Sequence, residues 1–316
     1  MMPLLVALGL LALAGPASAQ GFQMSRSGEQ QIQVYSDNGI EWHSDELRVI
    51  ARGNANAVRG DVTITADVLT AHYRKGDKGD EIWRLDADGN VTIRSPKDTA
   101  TGHKAIYDLD KSVFVLKGAP ARLVTPTETF QATESLEYWE LKRMAVLRGD
   151  AVATQEDKTL RGDVLTAHFK DKSAKTATAA RPAAKSGPKA DGKEDGSGLE
   201  LQRADAYGHV RLTTPTEAIT GERGDYNLET GIATVSGSVK IVREGGNQLE
   251  GGWAHVNLTT GVSKLFAGTP GGQNDGKRVQ GLFIPQKKGE KGDGGQQGGR
   301  AGFSGSVPAA RTEGDR

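Results

Sequence analysis

One stretch of the sequence occurs twice, and this duplication constrains the fold more than any other feature. ADVLTAHY occupies residues 66–73 and GDVLTAHF occupies residues 162–169, so that six consecutive positions are identical. Identity of that length within one chain indicates a structural repeat. Leu69 and Tyr73 alternate with Thr70 and His72, which is the period of two expected for a strand with one apolar face. We therefore predict an all-β fold built from repeated strands.

Weaker copies of this strand recur along the chain. They are GHKAIYDL (102–109), TESLEYWE (133–140), GERGDYNL (221–228) and GGWAHVNL (251–258). A second type of strand lies between them, in which alternating β-branched or apolar residues follow a glycine. These glycines are Gly53, Gly89, Gly118, Gly149, Gly208 and Gly237. Their usual separation is about thirty residues, which is the length of two strands and two turns. The pattern predicts about six two-strand repeats, with each glycine forming a turn that opens a strand.

Both ends and one internal segment differ in composition from the repeats. The first twenty residues carry no charge and their apolar run ends at small residues, which predicts a signal peptide (1–19) cleaved after Ala19. That run is too short to span about 30 Å of hydrocarbon. We expect residues 20–267 to form the β domain, with a disordered insert at 172–198 and a disordered Gly-rich tail at 268–316. GLFIP (281–285) is either a docking peptide or an unused apolar cluster, and the second interpretation is favoured.

The sequence contains no motif of an enzyme or a metal site. It has no cysteine, and its 40 acidic and 40 basic residues cancel, which gives no bulk attraction to nucleic acid. The six histidines are not paired at the spacing of zinc ligands. Asp67, Asp163 and Asp225 lack the dense Gly and Asp repeats of calcium-binding β proteins, and we interpret them as groups that cap local backbone donors. We predict no catalytic residue, no metal and no cofactor.

The order of these segments resembles a known family. IQVYSD (32–37), RGNANAV (52–58), ITADVLTAHY (64–73) and TGHKAIYDLDKSVFVLKGAPARL (101–123) follow one another as in the OstA-like family of periplasmic lipopolysaccharide-transport bridge proteins. The resemblance covers residues 31–153 and extends more loosely to 267. It implies an elongated, twisted antiparallel β-jellyroll, open along one side, that holds lipid A acyl chains and joins similar folds end to end between the two membranes. The insert and the tail depart from the family pattern.

Alternation and resemblance together indicate which side chains would line such a groove. Each methylene group that leaves water contributes about 0.8 kcal/mol, so a groove of aliphatic side chains can bind a lipid without any catalytic group. For each residue alone, an ordinary core position is favoured over contact with a ligand, and only the set as a whole suggests a groove. The predicted lining residues are Ile32, Val34, Leu69, Tyr73, Tyr107, Leu109, Leu136, Tyr138, Leu165, Phe169, Tyr226 and Leu228.

The two ends of the predicted sheet are candidate docking sites, because an edge strand exposes unpaired backbone groups. By resemblance, the edge at 32–37 would meet an inner-membrane partner of the same fold. The edge at SKLFAG (263–268) would meet an outer-membrane partner or a second copy, head to tail. Three functions remain open: periplasmic lipopolysaccharide transport, a structural or adhesive exported β-repeat protein without a lipid, and an exported polysaccharide-cleaving enzyme. The enzyme ranks last because no pair of carboxylates stands out.

Overall fold

The computed structural model describes residues 32–77, 79–171, 199–257, 260, 262–272 and 278–284. These residues belong to one unit that ends at Ile284. The predicted signal peptide, the predicted insert at 172–198 and the tail beyond 284 lie outside the described residues. Every regular element within the described ranges is a strand, and no helix there has the length and apolarity needed to cross a membrane.

Eighteen strands follow one another along the described chain. They are β1 (Gln33–Tyr35), β2 (Ile40–His43), β3 (Arg48–Arg59), β4 (Val62–Gly76), β5 (Gly79–Arg94), β6 (Thr99–Asp108), β7 (Val113–Lys117), β8 (Ala121–Val124), β9 (Glu128–Ala132), β10 (Ser135–Trp139), β11 (Met144–Gln155), β12 (Lys158–Asp171), β13 (Leu199–Thr213), β14 (Glu217–Asn227), β15 (Ile232–Arg243), β16 (Gln248–Asn257), β17 (Val262–Phe266) and β18 (Gln280–Leu282). All of their pairings are antiparallel, which confirms the predicted fold class.

The long strands pair in chain order. Four pairs of short strands, two in the middle and one at each end, each take the place of a long strand. Strands β3 to β6 and β11 to β16 each pair with the next. Between these groups, β7 and β8 cover the two halves of β6, while β9 and β10 cover the two halves of β11. At the two ends, β1 and β2 share β3, and β17 and β18 share β16. A single antiparallel sheet therefore runs from one end of the described chain to the other.

Five of the six recurring glycines lie inside strands, where they form β-bulges, and the sixth, Gly118, lies between β7 and β8. Gly53 in β3, Gly89 in β5 and Gly208 in β13 have positive φ angles of 74°, 77° and 69°, and the following residue also has positive φ. The pairing register shifts at each of these sites. The prediction that each glycine forms a turn and opens a strand is therefore wrong for these five and holds at Gly118, which precedes β8. Two consecutive residues with positive φ occur in β-bulges as well as in turns, and the sequence alone did not distinguish the two structures.

The predicted six two-strand repeats are present. Each pairs a strand that carries the bulge position with a strand that carries the recurring stretch, and ADVLTAHY and GDVLTAHF lie in β4 and β12. The third repeat differs, because its first member is split into β7 and β8 around Gly118 and a cis Ala119–Pro120 peptide bond. The six repeats are β3 with β4, β5 with β6, β7–β8 with β9–β10, β11 with β12, β13 with β14, and β15 with β16.

The bulges divide the sheet into two walls that share one apolar interior. Leu116 and Ile93 lie on opposite sides of the bulges and are both fully buried in the same cluster. A second cluster, around Tyr226, Val239 and Val256, continues the interior toward the last strands. Half-buried Leu160 packs against both clusters and so connects them. This arrangement corresponds to the predicted jellyroll, in which apolar faces turn inward.

Part of the predicted tail is folded. Gln280–Leu282 forms β18 and pairs with Gln248–Glu250 of β16, and the backbone N–H of Ile284 donates to the Asn247 side chain at 2.8 Å. The expectation of disorder for the whole of 268–316 is therefore wrong for these residues. Their apolar alternation is too short to identify a strand, and pairing with β16 supplies the missing stabilisation.

Candidate functional site

Three rows of apolar side chains run across the sheet on its inner face. In each row, every residue is the direct cross-strand partner of the next, so the rows follow from the strand register. We name each row by one central member. The Tyr107 row consists of Trp42, Val49, Ala71, Leu85, Tyr107, Phe114, Tyr138, Ala145, Ala167, Ala204, Tyr226, Ala233 and Val256.

The other two rows flank the bulges on either side. The Leu136 row consists of Ile40, Ala51, Leu69, Ala87, Ala105, Leu116, Leu136, Leu147, Leu165, Ala206, Gly224, Val235, Ala254 and Leu265. The Leu160 row, on the opposite wall, consists of Val34, Ala57, Ile64, Ile93, Ala100, Leu123, Phe130, Ala153, Leu160, Leu212, Ile219, Ile241, Leu249 and Gly281. Apart from the tyrosine side chains, no polar side chain lies in any of the three rows.

A cavity of about 220 Å³ lies between the walls in the middle of the sheet. Leu136, Tyr138 and Leu165 line it from one wall, and Leu123 and Phe130 line it from the other. Tyr138, Leu123 and Phe130 are only half-buried, so the cavity reaches solvent. The second cluster holds a much smaller space of about 40 Å³, where Ala204, Ala206 and Gly224 let the strands pack more closely. The interior therefore has more free space between β6 and β13 than in the second cluster.

Two acidic side chains lie at one end of the large cavity. Each of these residues, Asp98 and Glu128, ends a short turn. The backbone N–H of Asp98 donates to the Ser95 hydroxyl, and that of Glu128 donates to the Thr125 hydroxyl, both at 3.0 Å. Burial raises the pKa of Asp98 and of Glu128 above the usual carboxyl range, although the Ser95 hydroxyl opposes this at Asp98. Removing water from a carboxylate disfavours its charged form. The cavity is thus apolar along its length, with protonatable groups at one end.

The structure brings together most, but not all, of the predicted lining residues. Leu136, Tyr138, Leu165 and Phe169 line the large cavity. Leu69, Tyr107 and Leu109 belong to the cluster around it, while Tyr226 and Leu228 belong to the second cluster. Tyr73 is buried near the first end, where its hydroxyl accepts a hydrogen bond from the Trp42 indole at 2.8 Å. Ile32 and Val34 are exposed at the first edge, although Val34 belongs to the Leu160 row.

Apart from Val34, sequence reasoning missed the second wall. Leu123, Phe130 and Leu160 line the cavity but were not predicted, because the prediction used the recurring stretch and the first strand, and these three residues lie outside both. The signal was available in the other strand type. In GNVTI, for example, Val91 and Ile93 alternate after the glycine, and both are almost fully buried.

Asp67 and Asp163 have a different role from the predicted backbone caps. Asp67 accepts hydrogen bonds from the Asn90 side chain at 2.9 Å, and Asp163 lies 3.0 Å from Nδ1 of His209. Each carboxylate sits against a bulge glycine, Gly89 or Gly208, where a Cβ atom would overlap it. The two side chains therefore hold neighbouring strands together at the bulge. Within the described residues, no cluster of acidic and histidine side chains forms a metal site.

The outer face of the first wall carries a second duplicated contact. His72 Nε2 lies 2.8 Å from the buried carboxylate of Asp86, which also binds the Arg84 guanidinium. In the later copy, Arg203 donates to Asp205 at 2.6 Å and His168 Nε2 lies 3.5 Å away. Buried carboxylates need such partners, so these contacts stabilise the wall rather than forming a reactive site.

The two predicted edges are edges of the sheet, and both expose apolar side chains. Among the described residues, β1 and β2 pair only with β3, and Ile40 and Trp42 are 51% and 66% exposed although both belong to inner rows. At the other end β17 pairs, within the same ranges, only with β16, and Leu282 of β18 and the adjacent Phe283 are also exposed. No other described strand covers the apolar interior where the sheet begins and ends.

Comparison with known proteins matches this architecture. The family model described as LptA/(LptD N-terminal domain) LPS transport protein matches the chain twice in succession, at residues 33–134 and 131–262. We call these two segments the first copy and the second copy. ADVLTAHY lies in the first copy and GDVLTAHF in the second, so the duplicated stretch marks a duplicated family domain.

Individual relatives cover less of the chain. An uncharacterized protein of Rhizobium meliloti (strain 1021) is 33% identical over 119 residues, which are 36% of this chain and 62% of that protein. The chain therefore spans less than two thirds of the relative's length. The crystal structure of LptH, the LptA-homologous periplasmic component of the lipopolysaccharide transport device of Pseudomonas aeruginosa, aligns with a TM-score of 0.33 and 18% identity. It covers 38% of this chain and 84% of LptH. Because the family model matches well over half of the residues, the protein belongs to the LptA/LptD N-terminal-domain family of LPS transport proteins.

Proposed function

We propose that this protein binds lipopolysaccharide by its acyl chains within the apolar interior and passes it across the periplasm from the inner to the outer membrane. The observation that carries this proposal is the continuity of the inner rows: the Leu136 row runs from β2 to β17, the Leu160 row runs from β1 to β18, and the Tyr107 row runs from β2 to β16. An ordinary core closes at its ends, whereas these rows leave Val34, Ile40 and Trp42 open to solvent at the first edge. A hydrocarbon chain could move along such rows without meeting a charged side chain.

The energetics favour lipid over a soluble ligand. Aliphatic and aromatic side chains form nearly all of the cavity wall, and each methylene group transferred into it gains about 0.8 kcal/mol. The binding would be non-directional, so a chain could slide between equivalent positions along a row. Family membership supports lipopolysaccharide as the lipid.

Edge-strand docking would extend the path to partners of the same fold, and the chain contains its own example of this contact. β9–β10 (128–139), where the second copy begins, correspond to β1–β2 at the start of the first copy. In both, a backbone N–H donates to the bulge glycine carbonyl, from Asp37 to Gly53 at 2.9 Å and from Thr133 to Gly149 at 2.8 Å. β7 and β8 of the first copy cover this edge of the second copy by antiparallel pairing. We propose that a strand pair of a partner, or of a second copy of the chain, covers β1–β2 in the same way.

Site-specific photo-crosslinking tests lipid binding with a closely matched control. Tyr138 and Trp139 are adjacent aromatic residues of β10, but Tyr138 lines the cavity and Trp139 lies on the outer face over Glu137. A benzophenone amino acid at position 138 is expected to crosslink to lipopolysaccharide in intact cells, and the same group at 139 is not. Equal crosslinking at both positions, or none at 138 in a folded protein, contradicts transport through the interior and favours the structural or adhesive alternative.

A further inference from the structure

The outer face of the second wall carries two arginines that oppose each other directly. Arg161 of β12 is the cross-strand partner of Arg211 of β13, and both side chains are exposed. Directly opposed strand residues lie about 5 Å apart, so the two guanidinium groups share one patch of surface. Like charges at this spacing repel each other, which disfavours the pair unless an anion lies between them.

These arginines differ from most basic residues of the described chain. Arg52, Arg84, Arg148 and Arg203 each bind a carboxylate of their own strand or its neighbour. Among the residues that the structure describes, Arg161 and Arg211 have no carboxylate within 4.0 Å. The nearby acid, Asp163, is already engaged by His209. The patch thus keeps two uncompensated positive charges.

The corresponding pair in the first copy is uncharged. Thr65 of β4 and Thr92 of β5 are direct cross-strand partners on the outer face, at the position that Arg161 and Arg211 occupy in the second copy. The fold therefore accepts small side chains here, and the arginines are not needed to form the sheet. Exposed Arg122 of β8 continues the same row, with Gln131 and Val152 between it and Arg161. The opposed arginine pair is therefore specific to the second copy, and Arg122 of the first copy lies on the same row.

We propose that Arg161 and Arg211 form a binding site for a phosphate group on the outer face of the second wall. A phosphomonoester carries about −1.5 to −2 charge and three strong acceptor oxygens, which match two guanidinium groups. A carboxylate carries a single charge, which one arginine can balance. The phosphate could belong to a lipid headgroup or to a soluble ligand, and the chemistry of the site is the same for both.

The test compares the full-length protein with variants that exchange the paired positions of the two copies. Pyrophosphate is titrated at low ionic strength and binding is followed by NMR of the arginine Nε–H groups, because salt screens exposed charges. The double variant R161T/R211T, which installs the residues of the first copy, is expected to bind pyrophosphate at least roughly tenfold more weakly than the wild type. Arg94→Thr is the matched control, because Arg94 is exposed on the same face but lies opposite Thr63 and Thr99. Its affinity is expected to equal that of the wild type.

Two further arms make the result decisive. The reciprocal variant T65R/T92R is expected to gain a second pyrophosphate site. Cosedimentation with phosphatidylcholine vesicles, with and without phosphatidic acid, identifies the source of the phosphate. Arginine-dependent retention on the acidic vesicles assigns a lipid headgroup, and pyrophosphate binding without retention assigns a soluble ligand. Absence of pyrophosphate binding by the wild type, or equal binding by R161T/R211T, overturns the proposal, and neither result bears on lipid binding in the interior.

Discussion

The two copies of the family domain have the same local structure and different surroundings. Arg52 binds Glu41 in the first copy as Arg148 binds Glu137 in the second, at 2.9 and 2.8 Å. Yet the first copy begins with an uncovered edge, while the corresponding strands of the second copy are covered by β7 and β8. Local sequence thus determines the strand and its bulge, whereas exposure depends on which strand lies next to it.

This difference places equivalent side chains in opposite environments. Ile40 is 51% exposed, and its counterpart Leu136, which pairs with Leu116 and Leu147, is 8% exposed. The comparison explains how an edge can carry apolar residues without being a folding defect. In the second copy such residues form the core, and in the first copy the same positions are available to a partner.

The largest expected effect comes from truncating these two equivalent side chains. Leu136→Ala removes a buried side chain and leaves a cavity, so we expect it to lower the free energy of unfolding by about 2–5 kcal/mol. Ile40→Ala removes an exposed side chain, and we expect a change within about 0.5 kcal/mol. Urea denaturation of the full-length variants measures both values. Similar losses at the two positions would show that the first edge is already covered in solution.

The bulges of the two copies should respond equally to substitution. Gly89→Ala and Gly208→Ala each force a side chain into a backbone of positive φ and against the carboxylate of Asp67 or Asp163. We expect each to lower the free energy of unfolding by about 1–3 kcal/mol, measured by urea denaturation.

Gly39→Ala serves as the control for the bulge variants. Gly39 has a positive φ of 96°, but a Cβ atom there would meet open space. Gly39→Ala should therefore show the cost of the backbone conformation without the steric overlap. We expect it to lower the free energy of unfolding by less than Gly89→Ala or Gly208→Ala. A loss at Gly39 as large as at Gly208 would mean that contact with Asp163 contributes nothing.

The sequence predicts the repeats better than it predicts what lies beside them. The identity between residues 66–73 and 162–169 was sufficient for the strands, because alternation is local. It did not distinguish a turn from a bulge at Gly53, since both need positive φ and the choice depends on whether pairing continues on both sides. For the same reason, Leu123 and Phe130 of the opposite wall were missed, because only the register places them across from Leu136.

The smallest expected effect distinguishes the two bulges by pH. Asn90 meets Asp67 in the first copy, but His209 meets Asp163 in the second. The hydrogen bond to Asp163, together with its charge, raises the pKa of His209 above its usual value. A raised histidine pKa means that the folded state binds the proton more tightly. The resulting stabilisation is complete below about pH 6.5, the usual unfolded value, and disappears as pH rises through the folded pKa.

An NMR titration of the histidine ring protons measures this pKa directly. Asp163→Asn should return the pKa of His209 to its usual range, because the amide keeps the shape of the side chain without its charge. His209→Asn, which installs the residue of the first copy, should remove the small gain in urea midpoint between pH 8 and pH 5 that this site contributes. Since His209 is exposed, salt should weaken the effect. A pKa that Asp163→Asn leaves unchanged would assign the raised value to other groups, and the two bulges would then be electrostatically equivalent.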